Sequence, residues 1–238
     1  MTLRAIIFDV DGTLAETEEA HRHAFNEAFR DAGLDWRWDR DLYAELLAVA
    51  GGRERLRHYI ARHRPDANLQ ESDIARLHHA KTAIYQGFIT EGRIELRPGV
   101  EQILRTARKG GLRLAIATTT TRGNVLGLLA ATLGTDSARW FEVIGAGEDS
   151  PAKKPDPGVY RHVVAALDMA PFDCLAIEDS AIGLAAASGA GIPTLVAPSV
   201  YTRGETFTGA AAVVEDLAAV TLADLRRWHA AATRPVTA

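Results

Sequence analysis

The sequence predicts an α/β protein in which helices cover both faces of a parallel sheet and a helical segment is inserted after the first strand. Short apolar runs of strand length alternate with segments of helical length, which is typical of parallel sheets. The stretch 17–93 interrupts this alternation, because its apolar residues recur at helical spacing and it holds no convincing strand. We therefore expect a core domain made of residues 1–16 and 94–238 and a helical cap domain over 17–93.

Five apolar runs are candidate strands, at residues 3–8, 112–117, 141–144, 175–177 and 192–196. The helices between them have recognisable ends. Pro98 and Pro157 each fit a first helical turn, where the missing N–H costs nothing. Asp179 or Ser180 can cap a helix over 181–188, which should stop at Gly189.

Composition and charge exclude several classes of protein. Of the 238 residues, 47% are hydrophobic and 24% charged, and the net charge is −4. This balance gives no global field that would favour nucleic acid or an anionic membrane. No apolar stretch approaches the roughly 20 residues of a membrane span. Cys174 is the only cysteine, which excludes an intrachain disulfide and a zinc site built of cysteines. We expect Cys174 to be buried and the chain to be a cytoplasmic monomer without a signal peptide.

Polar residues follow three of the candidate strands. Asp9 and Asp11 follow the first, Thr118 follows the second, and Glu178 with Asp179 follows the fourth. Ligands of parallel sheets bind beyond the carboxyl ends of the strands, so these side chains should converge. Four carboxylates in one place repel each other, and a hard divalent cation with oxygen ligands relieves that repulsion. The sequence therefore predicts a Mg²⁺ site.

A lysine follows the third strand, directly before Pro155. Lys154 can bring a positive charge to the same place, and we prefer it to its neighbour Lys153. A carboxylate neutralised by metal and lysine can attack phosphorus and form an aspartyl-phosphate. A second acid two residues on can protonate the leaving oxygen and then deprotonate water. Hydroxyl and backbone donors stabilise the charge on the equatorial oxygens.

These motifs resemble those of the haloacid dehalogenase superfamily. The run 9–14 (DVDGTL) looks like its nucleophile motif, and the second, third and fourth motifs fall in order at Thr118, Lys154 and the pair 178–179. The resemblance covers nearly the whole chain. It implies a Rossmann-like core with an inserted helical cap.

The same resemblance implies roles for the acidic residues. Asp9 would be the nucleophile and Asp11 the general acid and base, with Thr118 and Lys154 completing the catalytic set. Mg²⁺ would be held by Asp9, the backbone carbonyl of Asp11 and Asp179, with Glu178 either on the metal or one step behind it. An aspartate at position 11 argues against the dehalogenase and phosphonatase branches, which lack an acid there.

The cap resembles that of CbbY-type phosphatases of autotrophic bacteria and plastids. The resemblance lies in the segments 15–26, 51–55 and 81–85. It implies hydrolysis of xylulose 1,5-bisphosphate, an inhibitor of Rubisco, and hence a place in Calvin-cycle maintenance. The related β-phosphoglucomutases share the cap and match it at Thr17, His21, Arg53 and Lys81.

Candidate substrate-binding residues lie in both domains. Between residues 53 and 64 there are five arginines against one acid, which suits a substrate with a second phosphate. We expect the substrate to be bound by Glu18, His21, Arg53, Lys81, Thr119 and Arg122. The arginines at 55, 57, 62 and 64 are expected to form a mainly solvated face.

Three functions remain open at this point. The first is a phosphatase for a small sugar bisphosphate, which the segment 51–55 and Glu18 favour. The second is a mutase of the β-phosphoglucomutase type, which would make the same aspartyl-phosphate but pass it to a sugar. The third is a sugar-phosphate sensor without catalytic activity, which the intact set of catalytic residues disfavours.

Overall fold

The computed structural model describes residues 2–234, which form two compact units. Unit 1 contains the described residues up to Glu16 and from Glu95 onward, and unit 2 contains Thr17–Ile94. The insertion thus ends at Ile94, whereas the sequence prediction ends it at residue 93. No helix among the described residues is both long and apolar enough to cross a bilayer.

Unit 1 is built on a parallel sheet of six strands, and it confirms the predicted fold class. The strands lie in the order β3-β2-β1-β4-β5-β6. Their bounds are β1 (Ala5–Phe8), β2 (Arg113–Ala117), β3 (Val143–Gly145), β4 (Cys174–Glu178), β5 (Thr194–Val196) and β6 (Ala212–Val213). The first five overlap the five predicted runs. The sixth was missed because it has only two residues and is partly exposed, so no apolar run marks it.

Unit 1 also contains five α-helices over its described residues. Their bounds are α5 (Val100–Lys109), α6 (Arg122–Leu133), α7 (Gly158–Ala166), α8 (Ala181–Gly189) and α9 (Leu222–Ala232). Helices α7 and α8 share a core with one face of β1, β2 and β4, in which Ile7, Ala117 and Ala176 meet Val163 and Ala187. Alternation along a strand sends the intervening residues to the opposite face. Because both faces are buried, these strands are apolar apart from a charged residue at one end of β2 and of β4, which explains why the sequence marks them so clearly.

Unit 2 consists of helices joined by loops, with no strand among its described residues. Its helices are α1 (Glu18–Asp31), α2 (Arg40–Leu46), α3 (Gly52–His63) and α4 (Glu71–Thr90). An aromatic cluster fills its core, with the rings of Phe25 and Trp38 centred 4.5 Å apart and those of Phe29 and Trp38 5.0 Å apart. Tyr59 joins the cluster from α3, 5.2 Å from Trp38. These rings fix how the helices pack.

Candidate active site

The register of the sheet brings the candidate residues together. Strand β1 lies between β2 and β4, and Phe8 is the partner of Ile116 on one side and of Ile177 on the other. Asp9 follows β1, Glu178 ends β4, and Thr118 follows β2. All three are buried, with at most 6% of their surface exposed. These polar residues therefore lie in the protein interior and not on a solvated sheet edge.

Lys154 joins two of the carboxylates. Its Nζ lies 2.6 Å from Oδ1 of Asp9 and 2.6 Å from Oε1 of Glu178. The hydroxyl of Tyr160 donates a 2.5 Å hydrogen bond to the same oxygen of Glu178. Burial of the whole group strengthens each contact, because the local dielectric constant is low. Lys153 donates instead to the carbonyl of Gly147.

The pKa values in this group follow from burial and from the neighbouring charges. Burial raises the pKa of Asp9 to about 7; Lys154 opposes this rise, while Glu178 and Asp11 add to it. Burial alone would lower the pKa of Lys154, but the carboxylates of Asp9 and Glu178 outweigh it and hold that pKa above its ordinary value. The lysine is therefore charged at neutral pH, whereas Asp9 needs further positive charge to be fully ionised.

The carboxylates of Asp9, Glu178 and Asp179 lie close enough together to hold a cation. One carboxylate oxygen of each lies within 4.8 Å of the others, and all three residues are buried. A set of hard carboxylate oxygens suits Mg²⁺, and a divalent cation here would favour the ionised form of Asp9. The residues present therefore fit the Mg²⁺ that the sequence predicts.

Two glycines permit this crowding of carboxylates. A Cβ on Gly12 would lie 2.3 Å from Oδ2 of Asp179, and Gly12 has a φ of +80° that disfavours other residues. A Cβ on Gly183 would lie 2.0 Å from Oε2 of Glu178. Both glycines are thus required by the side chains that pack on them.

The loop after β1 is a compact turn. The carbonyl of Val10 accepts hydrogen bonds from the N–H groups of Thr13 and Leu14, at 3.2 and 2.9 Å. The N–H of Gly12 donates to the carbonyl of Ala15 at 2.9 Å. Asp11 is half-buried within this turn, two residues after Asp9. The turn therefore sets the direction of Asp11 relative to Asp9.

The hydroxyls after β2 have local partners. Oγ1 of Thr118 accepts from the N–H of Thr120, and Oγ1 of Thr121 caps α6. Thr119 is half-buried beside them. Arg122 donates to Asp149 at 2.6 Å and to the carbonyl of Ile144 at 2.8 Å. Its guanidinium thus stabilises the connection after β3, and its predicted contact with substrate stays a prediction.

Unit 2 holds two buried polar groups of its own. Nζ of Lys81 lies 2.7 Å from Nδ1 of His21, and the rings of His21 and Tyr85 stack with centroids 3.8 Å apart. Tyr43 donates to Glu18 at 2.7 Å and accepts from Arg55 at 2.8 Å.

These groups correct one expectation about the arginines of unit 2. Arg55 is 8% exposed, so the prediction that it lies on a solvated face is wrong. Its guanidinium also stacks over the ring of Tyr43, with 5.1 Å to the ring centroid. Arg53, in contrast, is exposed.

Three residues with polar contacts were not singled out from the sequence: Tyr43, Tyr160 and Arg97, whose guanidinium donates to the backbone carbonyls of Gly12, Ala197 and Pro198. Tyr43 and Tyr160 lie at apolar positions of helices, where a tyrosine is usually a core residue. Their hydroxyl partners, Glu18 and Glu178, are distant in sequence, so no local spacing marks them. Arg97 directly precedes a proline and a glycine, a position at which an arginine carries no signal of burial.

Comparison with known proteins agrees with this geometry. The family model for haloacid dehalogenase-like hydrolases matches residues 3–191. The chain is 50% identical over 221 residues to protein CbbY of Rhodobacter capsulatus, covering 92% of this chain and 96% of the relative. It is 29% identical over 190 residues to a phosphorylated carbohydrates phosphatase of Thermotoga maritima, covering 80% and 82% of the two chains.

A solved structure extends the likeness to three dimensions. An aspartate-to-asparagine variant of CbbY from Rhodobacter sphaeroides, in complex with xylulose 1,5-bisphosphate, superposes with a TM-score of 0.89 at 45% identity. The match covers 94% of this chain and 99% of that one. The chain therefore belongs to the haloacid dehalogenase-like hydrolases, and within them to the CbbY group, as a phosphatase.

Proposed function

We propose that this phosphatase hydrolyses a small sugar bisphosphate, namely xylulose 1,5-bisphosphate, through a phosphorylated Asp9 and with Mg²⁺ bound. One observation carries the proposal: Asp9, Glu178 and Asp179 are buried around a common point, and Lys154 contacts the first two. The CbbY structure bound to that bisphosphate supports the choice of substrate.

In the proposed first step, a carboxylate oxygen of Asp9 forms a bond to phosphorus while the bond from phosphorus to the ester oxygen breaks. Asp11 gives its proton to the leaving oxygen, which departs as an alcohol. Lys154 favours the ionised form of Asp9 and offsets the repulsion between that carboxylate and the anionic ester. Asp9, the backbone carbonyl of Asp11 and Asp179 would hold Mg²⁺, with Glu178 on the metal or one step behind it, and the cation would supply positive charge to the phosphoryl oxygens.

In the second step, water attacks the phosphoryl group on Asp9. Asp11, now a carboxylate, takes a proton from this water, and the bond between phosphorus and Asp9 breaks to release phosphate. Thr118 is buried at the adjacent strand end and is our candidate hydroxyl donor to the phosphoryl oxygens. Protons balance over the two steps, because Asp11 regains the proton that it gave.

Residues of unit 2 are our candidates for substrate recognition. We assign to Glu18 the role of contacting the hydroxyl groups of the sugar. Tyr43 orients the carboxylate of Glu18 through a 2.7 Å hydrogen bond. The cationic candidates for a distal phosphate are Lys81 and Arg53, with His21 beside Lys81. Each charged hydrogen bond would contribute about 1.5–3 kcal/mol. Contacts of this kind orient the ester for attack.

Phosphate release from xylulose 1,5-bisphosphate tests the proposed substrate. We expect Mg²⁺-dependent release that stops in Asp9→Asn and continues in Asp136→Asn, a control at an exposed aspartate. Ribulose 1,5-bisphosphate and β-glucose 1-phosphate serve as comparison substrates. Rearrangement of a sugar phosphate without phosphate release would favour the mutase instead, and equal turnover by Asp9→Asn would contradict the assignment of the nucleophile.

A further inference from the structure

Arg97 is a buried arginine for which the two catalytic steps have no use. Its side chain is 6% exposed, and its guanidinium is satisfied almost entirely by backbone carbonyls. Nη1 donates to the carbonyls of Gly12 and Ala197, the latter at 2.7 Å, and Nη2 donates to that of Pro198 at 2.8 Å. Burying a guanidinium costs free energy unless its donors are paired with acceptors. The presence of a buried and paired arginine at this position therefore needs an explanation.

The loop after β1 is tied to position 97 at three alternate residues. The carbonyl of Gly12 accepts from Nη1, the carbonyl of Leu14 accepts from the backbone N–H of Arg97 at 2.9 Å, and Glu16 forms an ion pair with Nε at 3.2 Å. A bridge between Ala15 and Leu96 runs alongside these contacts. One arginine therefore anchors the loop along its length.

The anchored loop is the one that carries Asp11. Gly12 follows Asp11 directly, and a glycine is the most flexible link that a chain can have. The bond from Arg97 holds the carbonyl of this glycine to the loop after β5, through Ala197 and Pro198. Without that bond, the Gly12–Thr13 peptide loses a fixed partner one residue beyond Asp11, and the direction of the Asp11 carboxyl group is less restricted.

We propose that Arg97 is a positioning residue, which fixes the loop so that Asp11 meets the leaving oxygen of the substrate. The inference rests on the proposed roles of Asp9 and Asp11. A planar guanidinium can serve three acceptors in fixed directions, which an ammonium on a flexible stem cannot do. Lysine at this position keeps the charge opposite Glu16 but loses the fork that holds the carbonyls.

The test compares leaving groups that differ in their need for a proton. An alkyl phosphate needs an acid to protonate its oxygen, whereas p-nitrophenolate leaves without one. Values of kcat/KM report only the steps up to phosphorylation of Asp9. They therefore isolate the effect of protonating the leaving oxygen. We expect Arg97→Met to lose about 100-fold on alkyl phosphates and less than about threefold on p-nitrophenyl phosphate, since general acid catalysis is worth about 10²–10⁴-fold. Arg97→Lys should fall between Arg97→Met and the unchanged chain.

Two comparisons make the result decisive. Arg105→Gln removes an exposed arginine paired with Glu101, and it should leave the ratio of the two kcat/KM values, for the alkyl phosphate and for p-nitrophenyl phosphate, unchanged. The ratio is also independent of the folded fraction, because loss of folded enzyme lowers both rates equally. Asp11→Asn should show the same selective loss as Arg97→Met.

Equal losses on both substrates in the Arg97 variants, with a selective loss in Asp11→Asn, would overturn the positioning role alone. If Asp11→Asn also lowers kcat/KM equally on both substrates, Asp11 is not the general acid. That result would contradict this part of the proposed function and also the role inferred for Arg97. A selective loss in both supports the inference.

Discussion

Replacing Lys154 by methionine tests how the buried charges of the site balance. The side chains of Lys154, Asp9 and Glu178 are 6%, 9% and 1% exposed, and both contacts measure 2.6 Å. Removing one partner of such a buried pair leaves charge uncompensated and typically costs about 3–5 kcal/mol. We expect Lys154→Met to lower the free energy of unfolding by that amount and to abolish phosphatase activity. The free energy of unfolding is measured by urea denaturation at pH 8 in the presence of a metal chelator.

The neighbouring lysine provides a matched control. Lys153 is half-buried and donates to one backbone carbonyl, so Lys153→Met should lower the free energy of unfolding by about 1 kcal/mol. Adding Glu178→Gln to Lys154→Met removes one of the uncompensated charges, and we expect a favourable coupling of about 1–3 kcal/mol between the two sites. Equal destabilisation by the two lysine variants, or strict additivity of the double variant, would refute the reasoning.

The cost of Lys154→Met should also depend on pH. Because burial raises the pKa of Asp9 to about 7, its ionised form destabilises the fold; this penalty is absent below the ordinary pKa of 3.8 and is complete above about pH 7. Loss of the lysine raises that pKa further. The variant should therefore lose more stability at pH 8 than at pH 5.5, and a cost that falls as pH rises would contradict the assignment.

Three further predictions address the surroundings of the site. Tyr160→Phe removes the donor to Glu178 and should lower stability by about 1.5–3 kcal/mol and weaken Mg²⁺ binding in calorimetry; unchanged values for both would contradict a positioning role. The Kd for Mg²⁺ should rise up to about tenfold per pH unit below the pKa of Asp9, about 7, and be flat above it, because the cation must displace a proton; a Kd independent of pH from 5.5 to 8 would exclude this. Tyr43→Phe frees Glu18 from its hydrogen bond and should raise KM for the bisphosphate several-fold more than for p-nitrophenyl phosphate; equal changes would argue against recognition of the sugar through Glu18.

Much of unit 1 could be predicted from the sequence because its central strands are buried on both faces. Their continuous apolar runs contrast with the polar residues that follow, and this contrast locates both the sheet and the candidate site. Cys174 is buried within β4 as expected, and burial raises the pKa of its thiol to about 11. The cap of Ser180 on α8 is confirmed by its bond to the N–H of Gly183.

The networks behind the site could not be predicted, for a physical reason. Arg97 is 85 residues from Gly12 in sequence, and Tyr160 is 18 residues from Glu178. Such contacts depend on which strands become neighbours, and no local periodicity encodes that. Arg55 was misassigned for the same reason: a run of arginines on an amphipathic helix indicates a solvated face until the partner helix supplies a tyrosine hydroxyl.

In the proposed mechanism, the carboxylate of Asp9 accepts the phosphoryl group. Acid quenching during turnover, followed by mass spectrometry of the proteolytic peptides, tests it most directly. We expect the mass of one phosphoryl group on the peptide that contains Asp9, and none in Asp9→Asn. Rapid phosphate release with that peptide unmodified, or with the phosphoryl group on another residue, would contradict it.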